Sequence, residues 1–247
     1  MKYIGSKSKL IKKIKPIIES YINDDTIAYL EPMVGGANSI VEIECKKRIG
    51  IDIEPMVISL LKKAKTDVEW FNTLPELPTK EHYNDVVKNA DNYSLEYRAA
   101  ILYFGSYNNR ANGGYYGGCA TSKDGKFRNY FDEAKRNLIK QSPKLKDIEL
   151  HCIDFIKLPT EDIKNFVIYC DPPYRKSYYK DKVYNKDGFN YDSYYEWCIK
   201  MSKDNVVLMS EYYMPEQFEC IWETESKTTM DKTNNQQKRI EKLYKVK

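Results

Sequence analysis

Residues 26–53 read TIAYLEPMVGGANSIVEIECKKRIGIDI, and this stretch decides the fold class of the 247-residue chain. TIAYL (26–30) is an apolar run of strand length that breaks at Glu31-Pro32-Met33-Val34-Gly35-Gly36, a turn made of residues that end regular structure. A helix is predicted over Ala37 to Lys47, then a second strand, RIGIDI (48–53), ending on an acid, then a second helix over Met56 to Ala64. Strand, helix, strand, helix in that order signals a parallel α/β sheet, because parallel neighbours need a crossover.

Upstream, LIKKIKPIIESY (10–21) places apolar residues at 10, 11, 14, 17, 18 and 21, a helical spacing with Pro16 as a point of kinking or interruption. Downstream, from 66 to 147, Pro75, Pro78 and the tract GSYNNRANGGYYGG (105–118) replace the alternation. Helical candidates at His82 to Ala90, Leu95 to Tyr103 and Phe131 to Lys140 flank that tract. The alternation returns with ELHCI (149–153), FVIYC (166–170), a helix over Tyr191 to Ser202, VVLMS (206–210) and a terminal strand at Lys242 to Val246. The polar segment TTMDKTNNQQK (228–238) is predicted as a mobile loop. The simplest organisation is one discontinuous α/β domain, residues 1–65 and 148–247, carrying a mostly helical insertion at 66–147.

With 42% hydrophobic and 31% charged residues, the chain has an ordinary globular composition, which excludes collagen-like and wholly disordered classes. No apolar run reaches membrane-spanning length and MKYIGSKSKL lacks the apolar stretch of a signal peptide, so a cytoplasmic protein with no membrane partner is expected. Six cysteines without a C-x-x-C pair point to reduced, mostly buried thiols and to no metal site. A net charge of +4 and 22 tyrosines suit nucleic-acid binding, and they equally suit an AT-rich coding sequence.

Asp171-Pro172-Pro173-Tyr174 follows FVIYC directly, and a chance match in a chain of this length has odds of roughly one in a thousand. Open α/β sheets bind ligands at the carboxyl ends of their strands, where this tetrapeptide sits. Two prolines remove two backbone donors and restrict φ, so the loop is rigid and its carbonyls point in fixed directions. A carboxylate and a carbonyl beside an aromatic face suit a planar ring with an exocyclic amino group. The alternative is a strand-ending turn with a packed tyrosine.

These residues make the chain resemble the Dam-like (D12) class of DNA adenine-N6 methyltransferases, in a subgroup often carried by phages and prophages. KYIGSKSKL is similar to the family's K-[WY]-x-G-x-K element, EPMVGGAN to its E-P-F-x-G-x-G turn, GIDI to its acid-ending second strand, HCIDF to its x-D-F element and YCDPPY to its catalytic loop. Met33 and Asn38 depart from the usual residues. The resemblance implies a Rossmann-like methyltransferase sheet, mostly parallel with a terminal antiparallel strand, and S-adenosyl-L-methionine as cofactor. It implies cofactor contacts from Tyr3, Gly5, Lys7, Glu31, Pro32, Gly35, Gly36, Asn38, Asp52, Ile53, Asp154, Phe155 and Asp171. Asp52 at a strand end can accept from ribose hydroxyls, or it can cap a helix.

The implied reaction is direct methyl transfer to adenine N6, with Asp171, Pro172, Pro173 and Tyr174 as the catalytic group. The two N6 protons would be held by the Asp171 carboxylate and the Pro172 carbonyl, and Tyr174 would stack on a base flipped from duplex DNA. In the insertion, Asn108, Asn109, Arg110 and Asn112 supply groups that read base edges, Tyr115 and Tyr116 lie among glycines that allow backbone approach, and Lys123, Lys126 and Arg128 are candidate phosphate contacts. The rival readings are cytosine-N4 methylation and a non-catalytic DNA-binding module. Duplex DNA is the expected partner, with a cognate restriction endonuclease as a further one in the cell.

Overall fold

A computed structural model describes residues 1, 7, 10–111, 113–116, 119–121, 125, 127–174, 189–228 and 237–247. In chain order its elements are α1 (Ile11–Glu19), β1 (Ala28–Glu31), β2 (Arg48–Asp52), α2 (Pro55–Thr66), α3 (Lys80–Lys88), α4 (Leu95–Phe104), β3 (Cys119–Thr121), β4 (Phe127–Asn129), α5 (Tyr130–Leu145), β5 (Ile148–Cys152), β6 (Phe166–Cys170), α6 (Tyr191–Met201), β7 (Val206–Glu211), β8 (Phe218–Thr228) and β9 (Gln237–Val246). The main sheet has the strand order β5-β2-β1-β6-β7-β9-β8, with β3 and β4 forming a separate hairpin. β1, β6 and β7 pair in parallel, and β9 runs antiparallel to both β7 and β8. This is the expected mostly parallel α/β sheet with an antiparallel terminal strand. Among the described residues no helix is long and apolar enough to cross a membrane.

The chain forms two compact units. The first comprises Met1–Ile11, Val34–Glu42 and Ile49–Ile153. Its core is helical: Phe71, Phe104, Phe131 and Leu138 are fully buried where α2, α4 and α5 pack together. Local sequence starts these helices. Glu54 caps α2 at Met56 N with Pro55 at the first position, Thr79 caps α3, Ser94 caps α4 and Asn129 caps α5. Gly50 in β2 is required by close packing, because a Cβ there would lie 2.8 Å from Val34 Cγ2.

The second unit comprises Lys12–Met33, Ile43–Arg48 and Asp154–Lys247. Every residue of β1 and β6 is buried, which explains their unbroken apolar runs. β8 and β9, of 11 and 10 residues, are far longer than the six-residue β7 beside them. Their pairing continues to Thr228 opposite Gln237, whereas β7 stops at Glu211 opposite Lys242. The hairpin therefore overhangs the carboxyl end of the parallel strands.

Five points differ from the sequence reading. Residues 37–47 form turns, not a helix, because Gln141 Nε2 takes the Gly36 and Ala37 carbonyls at 3.2 and 2.8 Å, the groups that would start it. Ala37 accordingly sits at φ 55°, a left-handed conformation. Pro16 does not interrupt α1, which runs through it with Ile11, Ile14 and Ile18 fully buried. Strand β8 was not expected: a bulge between Cys220 and Trp222 breaks its alternation, and its far end is polar. Thr228, Gln237 and Lys238, at the edges of the predicted loop, belong to β8 and β9, and 229–236 lie outside the described residues. Finally, the six cysteines are free, but only Cys170 and Cys198 are buried; Cys152 and Cys220 are exposed at the sheet's margins.

Candidate active site

In the first unit the turn after β1 is clamped to the end of β2. Gly35 N donates to Asp52 Oδ2 at 2.8 Å, Glu54 N donates to Asp52 Oδ1 at 2.9 Å, and Val34 N donates to Ile51 O at 2.8 Å. Gly35 has φ 47°, a conformation only glycine adopts without strain. Asp52 is not the helix cap, since Glu54 fills that position. Ile53 N is a third backbone donor to this carboxylate, and of its roughly four acceptor sites one is left for a further donor. Burial raises the Asp52 pKa, against the backbone hydrogen bonds that lower it. Ile53 next to it is 68% exposed. Asn38 is occupied locally, donating to Met1 O at 2.8 Å and accepting from Met1 N at 3.1 Å, and Gly36 O also accepts from Met1 N. Lys7 is half-buried and its carbonyl accepts from Ile11 N at 2.7 Å, while Tyr3 and Gly5 lie outside the described residues.

In the second unit Glu31 and Pro32 are buried at the end of β1, and Tyr29 donates its hydroxyl to Glu31 Oε1 at 2.8 Å. Burial, and after it the charge of Glu31, raises the Tyr29 pKa and keeps it a donor. Asp154 caps the short turn that follows it, accepting from Ile156 N at 3.2 Å. Phe155 is buried among Phe189, Tyr194 and Trp197, and its neighbour Ile156 is the exposed apolar residue there.

Asp171 to Tyr174 leave the carboxyl end of β6 without regular secondary structure and are held by side chains remote in sequence. Tyr191, the first residue of α6, donates its hydroxyl to Pro173 O at 2.6 Å. Tyr174 donates to Glu241 Oε2 at 3.0 Å, and its ring meets Tyr212 edge-on at 4.5 Å. Tyr212 reaches the other Glu241 oxygen at 3.4 Å. Burial, followed by the charges of Asp171 and Glu241, raises the Tyr174 pKa, so the phenol stays protonated. Beneath the loop, Tyr169 and Ser210 share a buried hydrogen bond of 2.7 Å. Tyr191, Tyr212 and Glu241 were not singled out from the sequence, since only sheet register and helix placement bring them to the loop.

A rigid Asp-Pro-Pro-Tyr segment at a strand's carboxyl end and an acid-clamped glycine turn are matched by a family likeness across the chain. Residues 3–235 match the D12 class N6 adenine-specific DNA methyltransferase family. The chain belongs to that family. It is 27% identical over 212 residues to the retron Ec67 DNA adenine methylase of Escherichia coli, covering 79% of this chain and 69% of that protein. It is 28% identical over 189 residues to the DNA adenine methylase of Salmonella typhi, covering 70% of this chain and 64% of that protein. The DNA adenine methylase of Vibrio cholerae serotype O1 is 24% identical over 190 residues, again with 70% and 64% covered.

In this D12 methyltransferase several residues expected to meet DNA have partners within the chain. Asn109, at φ 54°, donates its amide to Tyr103 O at 3.0 Å. Tyr115 donates to Pro78 O at 2.9 Å and packs its ring on Tyr83. Arg128 makes two 2.9 Å bonds to Glu133 and lies over the Tyr130 ring. Tyr116 is 45% exposed and contacts the rings of Tyr107 and Tyr130. Arg110 is half-buried. Asn112, Lys123 and Lys126 lie outside the described residues, as does the side chain of Asn108.

Proposed function

We propose that this chain methylates the N6 amino group of adenine in duplex DNA, with S-adenosylmethionine as donor and the target base turned out of the helix. The observation that carries the reading is the braced segment Asp171-Pro172-Pro173-Tyr174 at the end of β6 in a chain of the D12 family. The residues present fit the donor: Asp52 keeps acceptor capacity for a ribose hydroxyl, Gly35 offers a turn without a Cβ, and Ile53 presents exposed apolar surface. When bound, the donor supplies an electrophilic methyl group on a sulfonium.

The rest of the chemistry belongs to the chain. Adenine's amino lone pair is delocalised into the ring and is a poor nucleophile. Hydrogen bonds from its two protons to the Asp171 carboxylate and the Pro172 carbonyl favour a pyramidal nitrogen and concentrate charge on it as it attacks the methyl carbon; the carbon–sulfur bond breaks onto sulfur to leave a thioether, and one N6 proton then passes to solvent. The Tyr191 bond to Pro173 O restrains the segment on its far side. Tyr174 receives the face of the extruded base, and stacking of this kind contributes about 1–3 kcal/mol against the cost of unstacking. No covalent enzyme intermediate is needed, so buried Cys170 has no nucleophilic role. The insertion at 66–147 is proposed to read the target sequence.

The test is to incubate the purified protein with unmethylated duplex DNA and S-adenosylmethionine, digest to nucleosides and analyse them by mass spectrometry. N6-methyladenine is expected. N4-methylcytosine without N6-methyladenine overturns the reading.

A further inference from the structure

Glu241 lies beyond the residues matched to the family, 3–235, on the part of β9 that overhangs the sheet. Continuing the β7–β9 register one step past Glu211 opposite Lys242 sets Glu241 against Tyr212. Here its carboxylate accepts from two phenols at once, Tyr174 at 3.0 Å and Tyr212 at 3.4 Å. Those two rings also touch edge to face, 84° apart, so Tyr174 is fixed at its hydroxyl by one neighbour and along its ring by another. The overhang is itself anchored. Thr224, opposite Glu241 on β8, accepts from Lys13 of α1 at 3.0 Å, and the Tyr244 hydroxyl donates to Tyr212 O at 3.4 Å.

We propose that Glu241 is a positioning residue for methyl transfer: from the end of β9 it holds the Tyr174 and Tyr212 hydroxyls together and so sets the plane of the ring on which the extruded adenine stacks. This rests on the function proposed above. The overhanging hairpin thereby has a task beyond pairing with β7, since β9 meets Leu208–Glu211 through residues 242–245 and not through 237–241. A carboxylate suits the position because it alone among small side chains presents two equivalent acceptors to two donors.

The experiment is a double-mutant cycle on the full chain with unmethylated plasmid DNA. Glu241→Ala is expected to lower kcat about tenfold, the size of one lost charge-assisted hydrogen bond, with KM for DNA and calorimetric affinity for S-adenosylmethionine within about twofold of wild type. Tyr174→Phe keeps the ring and loses the clasp, and is expected to match Glu241→Ala. The double variant is expected to be no slower than either single one. Glu241→Gln, which keeps one acceptor, is expected to fall between wild type and Glu241→Ala. Unchanged kcat in Glu241→Ala, or losses that multiply in the double variant, overturns the proposal. Should Glu241→Ala not fold, the same cycle run with Glu241→Gln decides by the same criterion. A wild-type protein that makes no N6-methyladenine sinks the functional reading and this role with it, whereas an active wild type with an equally active Glu241→Ala sinks this role alone.

Discussion

The hydroxyl of Tyr191 donates to the carbonyl of Pro173 at 2.6 Å, so the first residue of α6 braces the loop that carries Asp171. Proline has no backbone N–H through which to tie the segment down, so a donor to its carbonyl adds a restraint that the ring does not supply. Tyr191→Phe keeps the ring and removes the donor, at a cost of about 0.5–1.5 kcal/mol. The expected result is a kcat lowered about three- to tenfold with donor affinity unchanged, read by steady-state methyl transfer and calorimetry. Wild-type kcat in this variant would show that the loop is held without the bond.

Asp171→Ala is expected to abolish transfer, while S-adenosylmethionine binding falls more modestly. Loss of one preorganised acceptor at the reacting nitrogen costs about a hundredfold or more in turnover. In the proposed site most of the donor is held by other groups, among them the Asp52 clamp. Radiolabelled methyl incorporation and calorimetry on one preparation separate the two effects, and unchanged turnover removes Asp171 from the catalytic group.

The Asp52 carboxyl is shifted upward by burial, so it takes up a proton at higher pH than an ordinary aspartate. Its folded pKa exceeds its unfolded one. Between those two values the folded chain binds more protons, so this group's contribution to stability grows as pH falls through that window and declines as pH rises. With the ribose contact proposed for Asp52, donor binding runs the other way, because ribose hydroxyls need the unprotonated acceptor. Affinity for S-adenosylmethionine is therefore expected to fall on acidification through the raised pKa, and Asp52→Asn is expected to bind weakly with this pH step removed. Calorimetry from neutral to mildly acidic pH checks it; identical pH dependence in both proteins would exclude Asp52 as the titrating group.

Where local sequence alone dictates structure, the chain was readable. The apolar run Phe166 to Cys170 is buried at every position, and DPPY follows it as expected. Sequence alone allows Asp52 to be a ribose ligand or a helix cap, and the structure gives the cap to Glu54. What escaped was set by partners far along the chain. Nothing near residues 37–47 shows that Gln141 will take their first carbonyls from more than 100 residues away. Glu241 likewise reads as one charge in a polar strand until the β7–β9 register brings it to Tyr212. The Tyr115 bond to Pro78 O, across 37 residues of the insertion, was hidden for the same reason.

Gln141 offers the last prediction, since it is buried in α5 and replaces helical hydrogen bonds with its own amide. Its Nε2 serves the carbonyls of Gly36 and Ala37, and its Oε1 accepts from Met1 N. Gln141→Ala strands buried acceptors and opens a cavity, so a loss of about 2–4 kcal/mol is expected in denaturant unfolding. The strained φ of Ala37 is maintained by these bonds, and without them the turn that Gly35 anchors to Asp52 loosens. Weaker binding of S-adenosylmethionine is thus expected to accompany the lost stability, even under conditions where the variant is fully folded. Gln141→Glu separates the two consequences, because it keeps the volume and loses the amide donor: wild-type donor affinity in that variant would show that the turn holds its shape without Gln141.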